Sequence, residues 1–335
     1  MKAVKINAPR GLDTVRMVDM EDPGAPGPGE IRVRLQASSL NYHDYLVVTQ
    51  QGWAVDGRIP MADGAGVVEA VGSGVTEFKT GDMVVSIFSP DWQDGDANIL
   101  GFGNIPGDGV DGYAREAVVR PATWFTRAPK GWSAAQAATL TTAGVTAWRA
   151  LVPDGPLKAG DIVLTMGTGG VSIFALQIAK RMGATVIATS SSDAKLERLR
   201  AMGADHVINY KTHKDWGKRA FDFTGGQGVD HVVETGGPAT LAESITAIRC
   251  GGHIALIGVL TGFDGAVPTA ALMIKRTRLQ GVIVGSRVDQ MEMVRAMEAT
   301  GMEPVIDRSF GLDGISEAFR YEESGQHFGK ICLEF

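Results

Sequence analysis

Cysteine is nearly absent. Only Cys250 and Cys332 occur among 335 residues, which excludes a disulfide framework and any zinc site built on four thiolates. Long apolar runs are missing too: none approaches the roughly 20 residues that span a bilayer. The opening Met1-Lys-Ala-Val-Lys-Ile-Asn has no signal-type apolar core, so the cytoplasm is the expected location. Positive charge is neither in excess nor clustered, with 32 Lys and Arg against 38 Asp and Glu and a net charge of -6. That balance argues against nucleic acid or an anionic membrane as partner and leaves a small molecule.

What the chain has in quantity is glycine, 44 residues, and one cluster of it organises the rest. The apolar run Ile162 to Met166 meets Gly167-Thr-Gly-Gly-Val-Ser172, followed by a helical pattern with Val171, Phe174, Ala175, Ile178 and Ala179 on one face. A second apolar run, Thr185 to Thr189, completes a β-α-β unit. Its first turn aims backbone N–H groups and a helix N-terminus at an anion, for which a dinucleotide pyrophosphate is the usual occupant. Gly167, Thr168, Gly169, Gly170 and Val171 are the expected cradle, with Ser172 where a third glycine commonly stands. The acidic residue that selects NAD(H) at the end of the second strand is also missing. Ser190, Ser191, Ser192 and Lys195 stand there instead; hydroxyls and an ammonium suit a 2′-phosphate, so NADP(H) is preferred over NAD(H). The other reading is that the serines cap the next helix and Lys195 is a solvated surface charge.

The length suits two domains. Residues 1–124 read as β-rich, with strands at Lys2 to Ile6 and Glu30 to Ala37 separated by a Pro/Gly connection. Ser89 to Asp111 reads as a long loop in which Trp92 and Phe102 could line a substrate cleft. An Ala-rich helical stretch from Ala134 to Val152, interrupted near Gly144, leads into alternating strands and helices. The predicted division is residues 1–124, then a doubly wound parallel-sheet dinucleotide-binding domain at 125–288, then a return to the first domain at 289–335. An apolar run at 279–285 reads as an edge strand whose pairing would make a homodimer.

These segments, with Leu40-Asn-Tyr-His-Asp44, Asp63-Gly-Ala-Gly-Val-Val68, Thr80-Gly-Asp82, Gly203-Ala-Asp-His-Val-Ile-Asn-Tyr210 and Phe328-Gly-Lys330, resemble the medium-chain dehydrogenase/reductase superfamily in order and spacing over essentially the whole chain. The chain is most similar to the zinc-independent, quinone-oxidoreductase-like branch, whose relatives often carry alcohol dehydrogenase names. The resemblance implies a Rossmann domain beside a GroES-like catalytic domain. It also implies that Asn41, Ala62 and Thr142 fall in the segments where zinc-bearing members carry ligands, so no metal is expected.

Without a Lewis acid, hydride addition to a quinone or an activated C=C, which spreads its charge by conjugation, is the expected reaction. A metal-free NADP-dependent alcohol or aldehyde dehydrogenase is the alternative, and a cofactor-binding protein without turnover is a third reading. The resemblance implies catalytic roles for Asn41 and Asp63 and leaves Tyr42, His43 and Tyr45 as candidate proton donors, since Leu46 stands where quinone-reductase relatives carry a tyrosine. At the cofactor it implies Tyr210 as a phosphate-clamping partner of Lys195, with Thr142, Gly258, Val259, Val284, Gly285, Ser286 and Lys330 nearby.

Overall fold

The computed structural model describes residues 1–97 and 103–335. Phe102, one of the expected cleft residues, lies outside the described residues. The chain forms two compact units, Met1–Val145 with Val284–Phe335, and Thr146–Ile283.

The first unit is built on a seven-stranded sheet. Along it run Ile306–Gly311, Lys330–Glu334, Glu30–Ser39, Ala65–Val71, Met83–Ser86 and Phe125–Arg127, with Ala117–Pro121 also paired to Glu30–Ser39. In Glu30–Ser39 the buried Ile31, Val33, Leu35 and Ala37 alternate with more exposed neighbours, the period that turns one face of a strand to a core. Ile31, Val33 and Leu35 pack with Val68, Val84 and Phe125. A second core joins Val47, Val48, Ile59 and Met61 to Phe319, Ile331 and Leu333. It fixes the helices Tyr42–Thr49 and Ile315–Glu323, the first of which lies within the part that reads as β-rich from the sequence.

The second unit carries six parallel strands in the order His206–Asn209, Thr185–Ser190, Ile162–Met166, Val229–Glu234, Ile248–Leu256 and Arg278–Gly281. Numbered by appearance this is 3-2-1-4-5-6, the doubly wound order. Runs such as Val163-Leu164-Thr165 and Val186-Ile187-Ala188 are buried throughout, as a parallel sheet covered on both faces requires.

The boundaries fall elsewhere than expected. Phe125–Arg127 pairs with Met83–Ser86 in the first unit's sheet, so residues 125–145 stay with that unit, as do 284–288. The interruption expected near Gly144 is a π-helical turn, Leu140–Gly144, closed by Gly144 N–H donating to the Thr139 carbonyl at 3.2 Å.

Candidate active site

Asn41 lies two residues past the strand Glu30–Ser39 and caps the helix Tyr42–Thr49. Its backbone N–H donates to Asp44 Oδ2 at 3.1 Å, a reciprocal cap that fixes both side chains. Asp63 is fully buried just before the strand Ala65–Val71, and three donors converge on it. Ser39 Oγ and Asn41 Nδ2 donate to Oδ2 at 2.6 and 2.9 Å, and Thr142 Oγ1, carried in by the π-helical turn, donates to Oδ1 at 2.6 Å. Lys330 opens the strand Lys330–Glu334 with a side chain only 3% exposed and its ammonium 3.8 Å from Asp63 Oδ2. It donates to Asn41 Oδ1 at 2.6 Å and to the Leu40 carbonyl. An ammonium can only donate, so this contact turns the Asn41 amide nitrogen toward Asp63 and, at 3.0 Å, Asp44.

Two more carboxyls lie close to this ion pair. Burial, then the negative charge of Asp63, pushes Asp44 up to about 6 against the pull of His43, the Ala62 N–H and Asn41. Burial likewise lifts Glu322, on the helix Ile315–Glu323, to about 8, with Lys330 opposing and Asp44 adding to the rise. Its Oε2 is shielded from solvent and has no hydrogen-bond partner. Sequence reasoning singled out neither residue, since a polar side chain on an amphipathic helix reads as solvated until its surroundings are known.

The proton-donor candidates separate. Tyr42 is exposed and stacks on Tyr45 with ring centroids 6.0 Å apart. Tyr45 donates its hydroxyl to Glu323 at 2.6 Å, a bond that raises it to about 12 together with burial. His43 faces Asp108 instead, Nε2 to Oδ2 at 3.3 Å, with its ring edge-on to Trp53 and Phe88. Trp92 is buried and donates its indole N–H to the Gly95 carbonyl within its own loop.

In the second unit the glycine turn joins the strand Ile162–Met166 to the helix Gly170–Arg181. Gly167 sits at φ +76°, where a side chain is strained, and a Cβ at Gly167 or Gly169 would meet no atom within 4 Å, leaving open space for a ligand. Gly169 caps the helix Gly170–Arg181, which carries Val171 in its first turn; Thr168 is buried. Ser172 donates its hydroxyl to the Met166 carbonyl at 2.6 Å, tying helix to strand. Ser190, at the end of the strand Thr185–Ser190, is buried; Ser191 and Lys195 are half-buried. Ser192 does cap the next helix, accepting from the Lys195 N–H at 3.4 Å. Tyr210 is exposed, and its N–H donates to the Ser190 carbonyl at 3.1 Å. Gly258 lies so close to the Thr235 carbonyl that a Cβ would stand 1.8 Å from it, while Val259 is half-buried. Buried Glu234 accepts from the Gly236 and Gly237 N–H groups at 2.8 and 3.0 Å, holding the turn at the strand end beside the sheet's reversal point.

Five residues expected at the cofactor are placed in the first unit. Thr142 gives its hydroxyl to Asp63, and Lys330 buries its ammonium between Asn41 and Asp63. Ser286 caps the helix Arg287–Thr300 through a reciprocal pair with Asp289. Gly285 packs where a Cβ would meet Val145, and Val284 is held at φ +49°.

Residues 27–130 match the alcohol dehydrogenase GroES-like domain, and 170–300 match the zinc-binding dehydrogenase family. The chain is 38% identical over 334 residues to the zinc-type alcohol dehydrogenase-like protein C1773.06c of Schizosaccharomyces pombe, covering 97% of this chain and 96% of that protein. It belongs to the medium-chain dehydrogenase/reductase superfamily. Among solved structures, an NAD-dependent alcohol dehydrogenase superposes with a TM-score of 0.89 at 36% identity, with 100% of both chains covered. A quinone oxidoreductase of Pseudomonas syringae pv. Tomato DC3000 superposes with 0.83 at 28% identity, covering 100% of this chain and 99% of that one. The chain is thus an oxidoreductase of a nicotinamide-dinucleotide-dependent family.

Zinc, which the family names evoke, does not fit the residues present. At the three ligand positions stand an amide already bonded to Asp63, Asp44 and Lys330, a methyl group at Ala62, and a hydroxyl bonded to Asp63. Among the described residues, no group of three or more His, Cys, Asp or Glu could hold a metal ion. Nor is any described helix long and apolar enough to cross a membrane.

Proposed function

We propose that this member of the superfamily is a metal-independent, NADPH-dependent reductase of conjugated carbonyl acceptors, either quinones or enones. The observation that carries the reading is that Asn41 and Thr142, at two of the three ligand positions, are bonded to Asp63, and Asn41 also to Lys330, while the third position is the methyl group of Ala62. These donors and charges are spent on one another, which leaves no Lewis acid to stabilise a localised alkoxide. A conjugated acceptor spreads the charge and asks less of the site. Bound NADPH would supply the hydride. Asn41 and Asp63 then act as positioning residues, shaping the start of the helix that presents His43, and His43 supplies the proton, since Tyr45 is committed to Glu323.

NADPH preference is supported by Ser190, Ser191 and Lys195, with no carboxylate ending the strand Thr185–Ser190. Lys195→Ala is expected to raise KM for NADPH about tenfold, some 1.4 kcal/mol, and to leave KM for NADH unchanged; equal effects on both cofactors would remove Lys195 from the 2′-phosphate. A homodimer is supported by exposed Leu260, Phe263, Val267, Met273, Ile274 and Ile283 near the edge strand Arg278–Gly281.

The alcohol dehydrogenase names among the relatives favour a second reading, oxidation of alcohols or reduction of simple aldehydes. NADPH oxidation against a panel of quinones, enones, aldehydes and ketones separates the two. Turnover concentrated on the conjugated acceptors is expected, and turnover confined to simple aldehydes and ketones would overturn the reductase reading.

A further inference from the structure

The sequence gives Asp108 no role, yet the structure seats its carboxylate against His43. The two side chains are 10% and 15% exposed, with Nε2 and Oδ2 3.3 Å apart. This placement is imposed by backbone. Within the turn, Gly107 N–H donates to the Val110 carbonyl at 2.8 Å, and the Asp108 and Val110 N–H groups both donate to the Ile105 carbonyl at 3.2 Å. The turn is then fastened to the segment leading into Asp63, where Gly112 N–H donates to the Ile59 carbonyl at 2.7 Å and Tyr113 N–H to the Met61 carbonyl at 2.9 Å. At Gly112 a Cβ would stand 2.3 Å from the Met61 oxygen, so only glycine permits this approach. Met61 itself is held at φ +80°, a strained conformation for a residue with a side chain. Two edge-on rings, Trp53 at 5.8 Å and Phe88 at 5.5 Å, complete the clamp on the imidazole.

We propose that Asp108 is a positioning residue that orients His43 for proton delivery in the reaction this fold performs. The assignment rests on the reductase reading above. The carboxylate holds the hydrogen on Nε2, which leaves Nδ1 as the nitrogen that exchanges a proton. The acceptor gains a hydride, carrying two electrons, from NADPH and one proton from the imidazolium. NADP⁺ and neutral imidazole remain, and His43 is reprotonated from water once the product has left. Among the described residues, the charged groups facing the imidazole include Asp108 from the turn and Asp44 from its own helix.

The test combines ¹⁵N NMR of the histidine-labelled full chain with kinetics of Asp108→Asn and Asp108→Glu, His43 being assigned by His43→Gln. In the wild-type chain neutral His43 is expected as the Nε2–H tautomer, and Asp108→Asn is expected to abolish that preference. Asp108→Asn should also lower kcat about 10- to 100-fold and change KM by less than about threefold. Asp108→Glu should recover part of the rate. An Nδ1–H tautomer in the wild type, or an unchanged kcat in a folded Asp108→Asn, overturns the proposal. If the wild type reduces no conjugated acceptor, the reductase reading fails by itself, and the tautomer of His43 still decides whether Asp108 positions it.

Discussion

Lys330→Met is expected to cost the first unit about 3–5 kcal/mol, the usual penalty for removing one partner of a buried ion pair. The side chain it replaces reaches Asn41 Oδ1 and the Leu40 carbonyl and lies 3.8 Å from a fully buried Asp63. Without it Asp63 keeps its three hydrogen bonds but loses its counter-charge, and Asn41 Oδ1 loses its ammonium donor. Activity should fall with stability, because the helix carrying His43 starts at Asn41. The double variant Lys330→Met, Asp63→Asn removes both charges and is expected to regain part of the loss. Urea unfolding of the three proteins checks this; a Lys330→Met chain as stable as the wild type would show that the network does not bear on the fold.

Glu322→Gln is expected to stabilise the protein, and by an amount that depends on pH. The Glu322 carboxyl is lifted from 4.5 to about 8 by burial, so the folded state holds its proton more tightly than the unfolded state. Its contribution is therefore full below about pH 4.5 and is lost progressively until about pH 8, with a ceiling of about 1.4 kcal/mol per pH unit. Asp44, lifted to about 6, acts in the same direction over a lower window. The amide of Gln cannot ionise, so the variant escapes the Glu322 part. Thermal unfolding of both proteins from pH 5 to pH 9 should show midpoints that coincide at the acid end and separate in favour of Glu322→Gln as pH rises. A difference independent of pH, or a less stable variant at pH 8, would contradict the placement of this carboxyl.

The doubly wound unit was legible because local signals and global arrangement agree there. The apolar run at Ile162–Met166, the turn at Gly167 and the helix from Gly170 are a few residues apart, and each has its own period. The helix Tyr42–Thr49 was not, because Tyr42, His43, Tyr45, Val47 and Val48 have β-type propensities that the cap between Asn41 and Asp44 and the packing against Phe319 override. The site divides in the same way. Asn41 and Asp63 lay in recognisable motifs, but Lys330 and Asn41 meet through strand pairing across 289 positions of chain, and no pattern along the sequence records that contact. Asp108 and Glu322 were invisible for the same reason: their meaning comes from what faces them. Thr142 was expected at the cofactor, and the π-helical turn that swings it toward Asp63 left only the signal of an interruption near Gly144.

The measurement that tests the account most directly is metal content and turnover on the same sample, before and after dialysis against a strong chelator. NADPH oxidation with a quinone or enone serves as the assay. The account expects far less than one zinc per chain and a rate unchanged by the chelator. One zinc per chain, with turnover lost on its removal and restored on its return, would contradict the claim that Asn41, Ala62 and Thr142, with Asp63 and Lys330 bonded to them, leave no metal site.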